Sequence, residues 1–375
     1  MRSQFAKLLL LCTLVFLVSC GQDTATATIA TVTTAIATTT STNGIAIQSD
    51  ELVERLIIKE FLYNNCSTNA PLAISLTYKE VLSESLAKEL VLGGKGSAGV
   101  EIPEVAKVAI EAAYWHLVSQ ISKMPLRRIW GGKKTQIPAG ISIGLGVDLK
   151  DSINRVIKYI DTFHPERAKI KIKPGIDVRL IKTIRSRYPK LPLMVDANAS
   201  FTPKNERIFF ELDKFDLVMI EQPYAYNDLV NHSILQKKIN TPICLDESIS
   251  SLSVAEQAIA LASCRIINIK PQRIGGYYRA KQLSELAARN NIGAWCGGMI
   301  ESGWGQLFNS HIASLPNFTY ENDICLTKWY LADDILEEEI PERNGYIDLK
   351  KTDKLFKINL AKFKKYQTLK IAITK

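Results

Sequence analysis

The sequence predicts an α/β protein: a C-terminal (β/α) barrel preceded by a small α+β unit. Three observations carry this. After Gly131 and Gly132, short apolar runs alternate with helical segments of about a dozen residues. Three of those runs end in a carboxylate at even spacing, Asp196, Glu221 and Asp246 lying 25 residues apart in turn. The stretch 168–175, A-K-I-K-I-K-P-G, puts Lys169, Lys171 and Lys173 on one strand face and Ile170 and Ile172 on the other.

At 375 residues the chain is long enough for a large core and more than one domain. Its 46% hydrophobic and 23% charged content are those of a globular protein. The net charge of +9 is concentrated: from Lys350 onward nine lysines face the single acid Asp353, so the body is near neutral. No nucleic-acid motif and no interleaving of basic with aromatic residues accompanies that charge, which argues against a nucleic-acid partner. The seven cysteines form no C-x-x-C pair or metal-finger spacing, and the four histidines form no H-E-x-x-H, which argues against zinc. Cys244, Cys264 and Cys296 sit in apolar runs and read as buried, reduced core residues.

Taken in order, residues 1–20 read as an export signal, with Arg2 and Lys7 before the apolar run 8–18, which is short for a bilayer span. The run ends L-V-S-C, similar to a bacterial lipoprotein box with Cys20 as the lipidated residue. Residues 21–44, rich in Thr and Ala, read as a tether with little to bury. Residues 45–130 form the α+β unit: a strand near 54–63, a helix near 78–90, and a helix over 103–121. The last has one apolar face of Val105, Val108, Ala109, Ala112, Ala113, His116 and Leu117. The barrel takes 131–335, with strands near 137–143, 168–172, 193–196, 217–221, 243–246, 266–270, 294–296 and 318–320. Helices follow from near Asp148, Asp177, Thr202, Asn227, Ser253, Gly275 and Ser302. An open doubly wound sheet is the alternative, but no G-x-G-x-x-G follows the first strand. Residues 336–375 are a basic segment returning to the α+β unit.

Chemistry in such barrels sits at the carboxyl ends of the strands. There the second strand offers Lys169 and Lys171, the third Asp196 and Asn198, the fourth Glu221 and the fifth Asp246 and Glu247. The sixth offers Asn268 and Lys270, and Glu301 follows the seventh. A lysine stripe alone suits a protected edge strand, and a single acid suits a helix N-cap. Three acids in register fit neither, since they repel one another unless a cation sits among them. Their hard oxygens suit Mg²⁺ with positions left open for substrate, with Mn²⁺ as the alternative. Lys171 and Lys270 then face each other across that site, and a neutral lysine there takes a proton from a carbon beside a carboxylate.

The motifs K-I-K-I-K-P-G, V-D-A-N, I-E-Q-P, L-D-E-S-I, I-N-I-K-P-Q-R-I-G-G and C-G-G-M-I-E-S-G resemble the enolase superfamily over residues 73–348. Within it they resemble the o-succinylbenzoate synthase / N-succinylamino acid racemase branch of the muconate-lactonising group. The resemblance implies a (β/α) barrel of the enolase type with a small, truncated α+β capping domain. It makes Asp196, Glu221 and Asp246 the Mg²⁺ ligands and Lys171 the general base. Lys270 becomes the opposite base or cationic stabiliser, and Lys169 the lysine that tunes Lys171. Ser142, Asn198, Gly297, Met299 and Ile300 would lie near a small-molecule carboxylate substrate. The implied activity is a carbon–oxygen lyase, o-succinylbenzoate synthase, serving menaquinone synthesis, in a homo-oligomer. N-acylamino acid racemase or dipeptide epimerase is the alternative.

The chain also departs from that pattern. Its cap is short, and cap loops close such sites, so a catalytically impaired ligand-binding lipoprotein is a reading from another class. The basic tail suits an anionic membrane surface beside a lipid anchor, or a solvated face. Export conflicts with a synthase whose substrate is made in the cytoplasm, the family's usual location. The Asp-x-Asp of dipeptide epimerases is missed: Glu321, Asn322 and Asp323 come near it.

Overall fold

The computed structural model describes residues 104–366 apart from 300, 325, 328–329 and 354–356, together with the short strands Cys12–Thr13, Ala30–Ala35, Ser75–Leu76 and Leu369–Thr374. Cys20, Ile300, the strand expected near 54–63 and the helix expected near 78–90 lie outside the described residues. No helix among the described residues is long and apolar enough to cross a membrane.

The helix Glu104–Ser122 forms where the apolar stripe predicts it, and buries Val108, Ala109, Ala112, Ala113 and His116 along one face. Beyond it, seven parallel strands form one sheet: β1 (Ile141–Ile143), β2 (Ala168–Lys171), β3 (Leu193–Asp196), β4 (Ile220–Glu221), β5 (Ile243–Leu245), β6 (Ile266–Ile269) and β7 (Gly293–Cys296). Each lies beside its neighbour in the chain, the order of a barrel built from consecutive strand-helix units. Side chains on the outward face, among them Ile170, Val195, Ile220, Leu245 and Ile267, join the apolar faces of the helices in one core.

Short polar residues start the helices. Asp148 accepts from Asp151 N at 2.8 Å, Asp177 from Val178 N at 2.6 Å, Asp228 from Asn231 N at 3.0 Å and Ser251 from Val254 N at 3.2 Å. The acids that cap helices are therefore not the acids that end the strands. Asp196, Glu221 and Asp246 are buried at the carboxyl rim instead.

Two expected strands differ. The run 137–143 divides into Gln136–Pro138, paired antiparallel with Tyr346–Asp348, and β1. Pro138 has no N–H for a continuous ladder, and Gly140 follows where a side chain would strike Asn322 O. The strand expected at 318–320 is irregular, yet it closes the barrel. Thr319 N and Tyr320 N donate to Ala294 O at 2.8 and 3.2 Å, Asp323 N donates to Cys296 O at 3.0 Å, and Asn322 bridges to Ala139 on the far side. Asn322 Oδ1 accepts from Cys296 N at 2.8 Å, so a side chain takes a ladder position that a strand would fill with backbone.

The segment after residue 336 packs against the barrel's approach strand and the helix Gly303–Ile312. Leu349 N bonds Thr135 O at 2.8 Å, and Arg127 pairs with Asp353 at 3.0 Å.

Candidate active site

The inward face of the barrel is layered by the two-residue period of its strands. Met194, Met219, Cys244, Ile266 and Trp295 make a separate buried apolar cluster, the floor of the interior. Two residues further along each strand, the same face carries Asp196, Glu221, Asp246, Asn268 and Gly297. Three acids and an amide thus sit on an apolar floor, and register fixes their order. Lys171 stands opposite Asp196, and Asp196 opposite Glu221.

Lys169 is buried beneath the acids. Its ammonium lies 3.4 Å from Asp196 Oδ2 and 3.2 Å from Glu221 Oε2, pairs still more closely with Asp323 Oδ2, and sits 5.2 Å from the Trp295 ring centroid. Burial alone would favour its neutral form, but Asp323, Glu221 and Asp196 outweigh that and hold it charged, well above the usual lysine range. Lys171 is more open, its side chain 36% exposed. Its ammonium bonds Asn198 Oδ1 and lies 3.9 Å from Asp196 Oδ2.

On the other side Lys270 Nζ meets Asp246 Oδ2 at 3.0 Å, and Arg273 meets Asp246 Oδ1. Burial works against ionising Asp246, but Lys270, Arg273 and Lys169 overcome it and keep the carboxyl below the usual range. Glu221 behaves oppositely: burial and the neighbouring Asp196 push it up to about 8, against the pull of Lys169. Asn268 Nδ2 steadies it, donating to Oε1 at 2.7 Å.

Hard oxygens from Asp196, Glu221 and Asp246 are the described groups that could hold a divalent cation. Among the described residues no three His, Cys, Asp or Glu side chains cage one as they stand, since Lys169, Lys270 and Arg273 engage the carboxylate oxygens. The chemistry of the set still fits. Glu221 is raised by burial and by the neighbouring Asp196, a repulsion that a cation between the two would relieve, and Glu247 Oε2 is buried with no hydrogen-bond partner.

Among the remaining expected residues, Ser142 is part-buried and stands opposite Lys169 in register. Asn198, at φ 41°, bridges Lys171 to Glu247, donating to Glu247 Oε1 at 3.0 Å. Met299 is part-buried, its N–H donating to Glu301 Oε1 at 2.6 Å. Gly297 is buried, and a side chain there would overlap Asn268 Oδ1, so its bareness serves the amide that holds Glu221.

Sequence reading gave no role to Arg167, Gln222, Arg273, Trp295 or Asp323. Arg167 was within reach: it lies two residues before Lys169, so the alternation already places it on the same face. Gln222, at φ 40°, ties β4 to β5 by accepting from Asp246 N at 3.0 Å and Ser248 N at 3.2 Å. Arg273 follows Lys270 by one turn, and only the short helix Pro271–Ile274 turns it back onto Asp246.

Residues 155–353 match the family described as enolase C-terminal domain-like. The chain belongs to the enolase superfamily. It is an enzyme of that superfamily, 41% identical over 268 residues to the o-succinylbenzoate synthase of Bacillus subtilis, covering 70% of this chain and 71% of that relative. It is 36% identical over 241 residues to the N-succinylamino acid racemase of Thermus thermophilus, covering 64% of this chain and 65% of the relative. A solved superfamily structure from Listeria innocua shares 34% identity at TM-score 0.66, covering 81% of this chain and 77% of that one.

Proposed function

We propose that this enzyme removes the proton α to a carboxylate, as an o-succinylbenzoate synthase. One observation carries the reading: Lys171, Asp196, Glu221, Asp246 and Lys270 come from five successive strand ends and line one rim. In this reading Asp196, Glu221 and Asp246 hold Mg²⁺. When bound, the cation supplies Lewis-acid stabilisation to the substrate carboxylate as it takes on a second negative charge.

The chain's own groups do the rest. Lys171, the most open of the three lysines, takes the proton on Nζ in its neutral form. The electron pair of the C–H bond moves into the carboxylate. For dehydration the C–O bond then breaks, and Lys171 returns its proton to the departing hydroxide as water. Lys270, on the opposite side, stays cationic through Asp246 and faces the enediolate.

A second reading, N-succinylamino acid racemase, is favoured by the same pair of lysines on opposite faces, each able to serve one enantiomer. The impaired-binder reading has no observation in its favour within the barrel, where every position of the set is filled.

The test is proton exchange in D₂O, followed by NMR, with the full chain, Mg²⁺ and either the synthase's cyclohexadiene substrate or N-succinyl amino acids. Conversion of the cyclohexadiene supports the synthase. Exchange at the α-carbon of an N-succinyl amino acid supports the racemase. Neither reaction, from folded protein with Mg²⁺ bound, would remove the proposal.

A further inference from the structure

Arg167 and Asp323 take no part in the proton transfer, yet both are buried in the same interior. Arg167 Nη2 bonds Asp323 Oδ1 at 2.7 Å across 156 residues of chain. The guanidinium also lies 5.2 Å from the Trp295 centroid, the same separation as the Lys169 ammonium. Asp323 Oδ2 is the closest of the three carboxylates around Lys169, with Glu221 at 3.2 Å and Asp196 at 3.4 Å. A lysine ammonium has three donors, and here the strongest claim on it comes from the side, from the segment that closes the barrel.

We propose that Asp323, seated by Arg167, is a positioning residue that holds the Lys169 ammonium over Trp295 and so keeps it from closing fully on Asp196 and Glu221, leaving them able to take a divalent cation. This rests on the cation-binding reading of those acids. The physics is a competition. Without Asp323, the nearest charges to the ammonium are Asp196 and Glu221. In a buried setting that attraction draws Lys169 further between them. It would then close on the oxygens it now meets at 3.2 and 3.4 Å, and repel a second cation more strongly.

The design of the test follows from the pair being charge-balanced. Removing one member of a buried ion pair strands the other, whereas replacing both by uncharged side chains is often tolerated. The double variant Arg167→Met/Asp323→Asn therefore leaves the net charge unchanged while releasing Lys169. Mg²⁺ binding by calorimetry on the full chain is the readout, with melting curves to confirm folding.

The expected result is at least tenfold weaker Mg²⁺ binding in the double variant, restored when Lys169→Met is added. The rescue matters because general damage to the barrel would not be repaired by removing a lysine. If that double variant does not melt cooperatively, Arg167→Leu/Asp323→Leu and the same pair with Lys169→Met give the same comparison with the charge balance kept. Double-variant binding equal to wild type would overturn the inference and leave the cation site standing. Weak binding with no rescue would overturn it too. A wild-type chain that binds no Mg²⁺ would remove the cation reading itself.

Discussion

Lys171 on β2 and Asp196 on β3 stand directly opposite each other in register, with ammonium and carboxylate 3.9 Å apart at the open rim. Base and metal-ligand candidate are thus set by one pair of backbone ladders rather than by loops. The substitution Lys171→Ala should abolish proton exchange, a loss of about 10²–10⁴-fold or more, while Mg²⁺ binding stays at least as tight. Exchange that persists in the variant would take the base assignment away from Lys171.

For Asp196→Asn the expected change is the reverse, with Mg²⁺ affinity falling at least tenfold by calorimetry. An amide keeps the shape and loses the charge, so unchanged affinity would strike Asp196 from the ligand set.

The substitution Gly297→Ala tests the layer from a residue with no functional group. Its methyl would displace Asn268, which donates to Glu221 at 2.7 Å. Overpacking of this kind costs about 1–3 kcal/mol. Proton exchange should fall by an order of magnitude or more while the cooperative unfolding transition remains. Full activity would show that Asn268 moves without consequence.

The stability of the barrel should depend on pH through His311. It is fully buried, accepts from Arg127 N at 3.1 Å, and lies 3.3 Å from Thr352 Oγ1. Burial, with the Arg127 charge beside it, lowers it to about 3. The unfolded chain therefore takes up a proton near pH 6.5 that the folded chain refuses. Stability is complete above that pH and is lost as pH falls toward 3, by about 4 to 5 kcal/mol at the limit. His116, lowered to about 4 by burial, acts in the same direction. Thermal midpoints measured between pH 7.5 and 4 should fall less steeply in His311→Gln. Parallel curves for the two proteins would count against it.

What the sequence made legible is what repeats. A two-residue alternation placed Lys169 and Lys171 on one face, and the 25-residue interval matched one strand-helix unit, so the acids arrive on adjacent strands. Helix starts at Asp148, Asp177 and Ser302 are those observed, because a cap is a local hydrogen bond or a local turn. The pairing of Arg167 with Asp323 was not legible, since no local pattern brings together residues so far apart in the chain. Nor was the irregular eighth position, where a side-chain amide does the work of a ladder. Period two tells which face a residue takes, and remains silent on which distant charge it meets.

The closing of the barrel by residues 318–323 also orders events during synthesis. Strands β1 to β7 leave the ribosome with β1 and β7 as open edges, the arrangement most prone to pairing with another chain. Until Asn322 and Asp323 emerge, the edge stays uncovered, and the Arg167 and Lys169 charges must wait in an interior that is not yet sealed. A stall in translation before that point would leave a nearly finished sheet exposed, which makes the interval between the emergence of Cys296 and that of Asp323 the one where a chaperone would have most to protect.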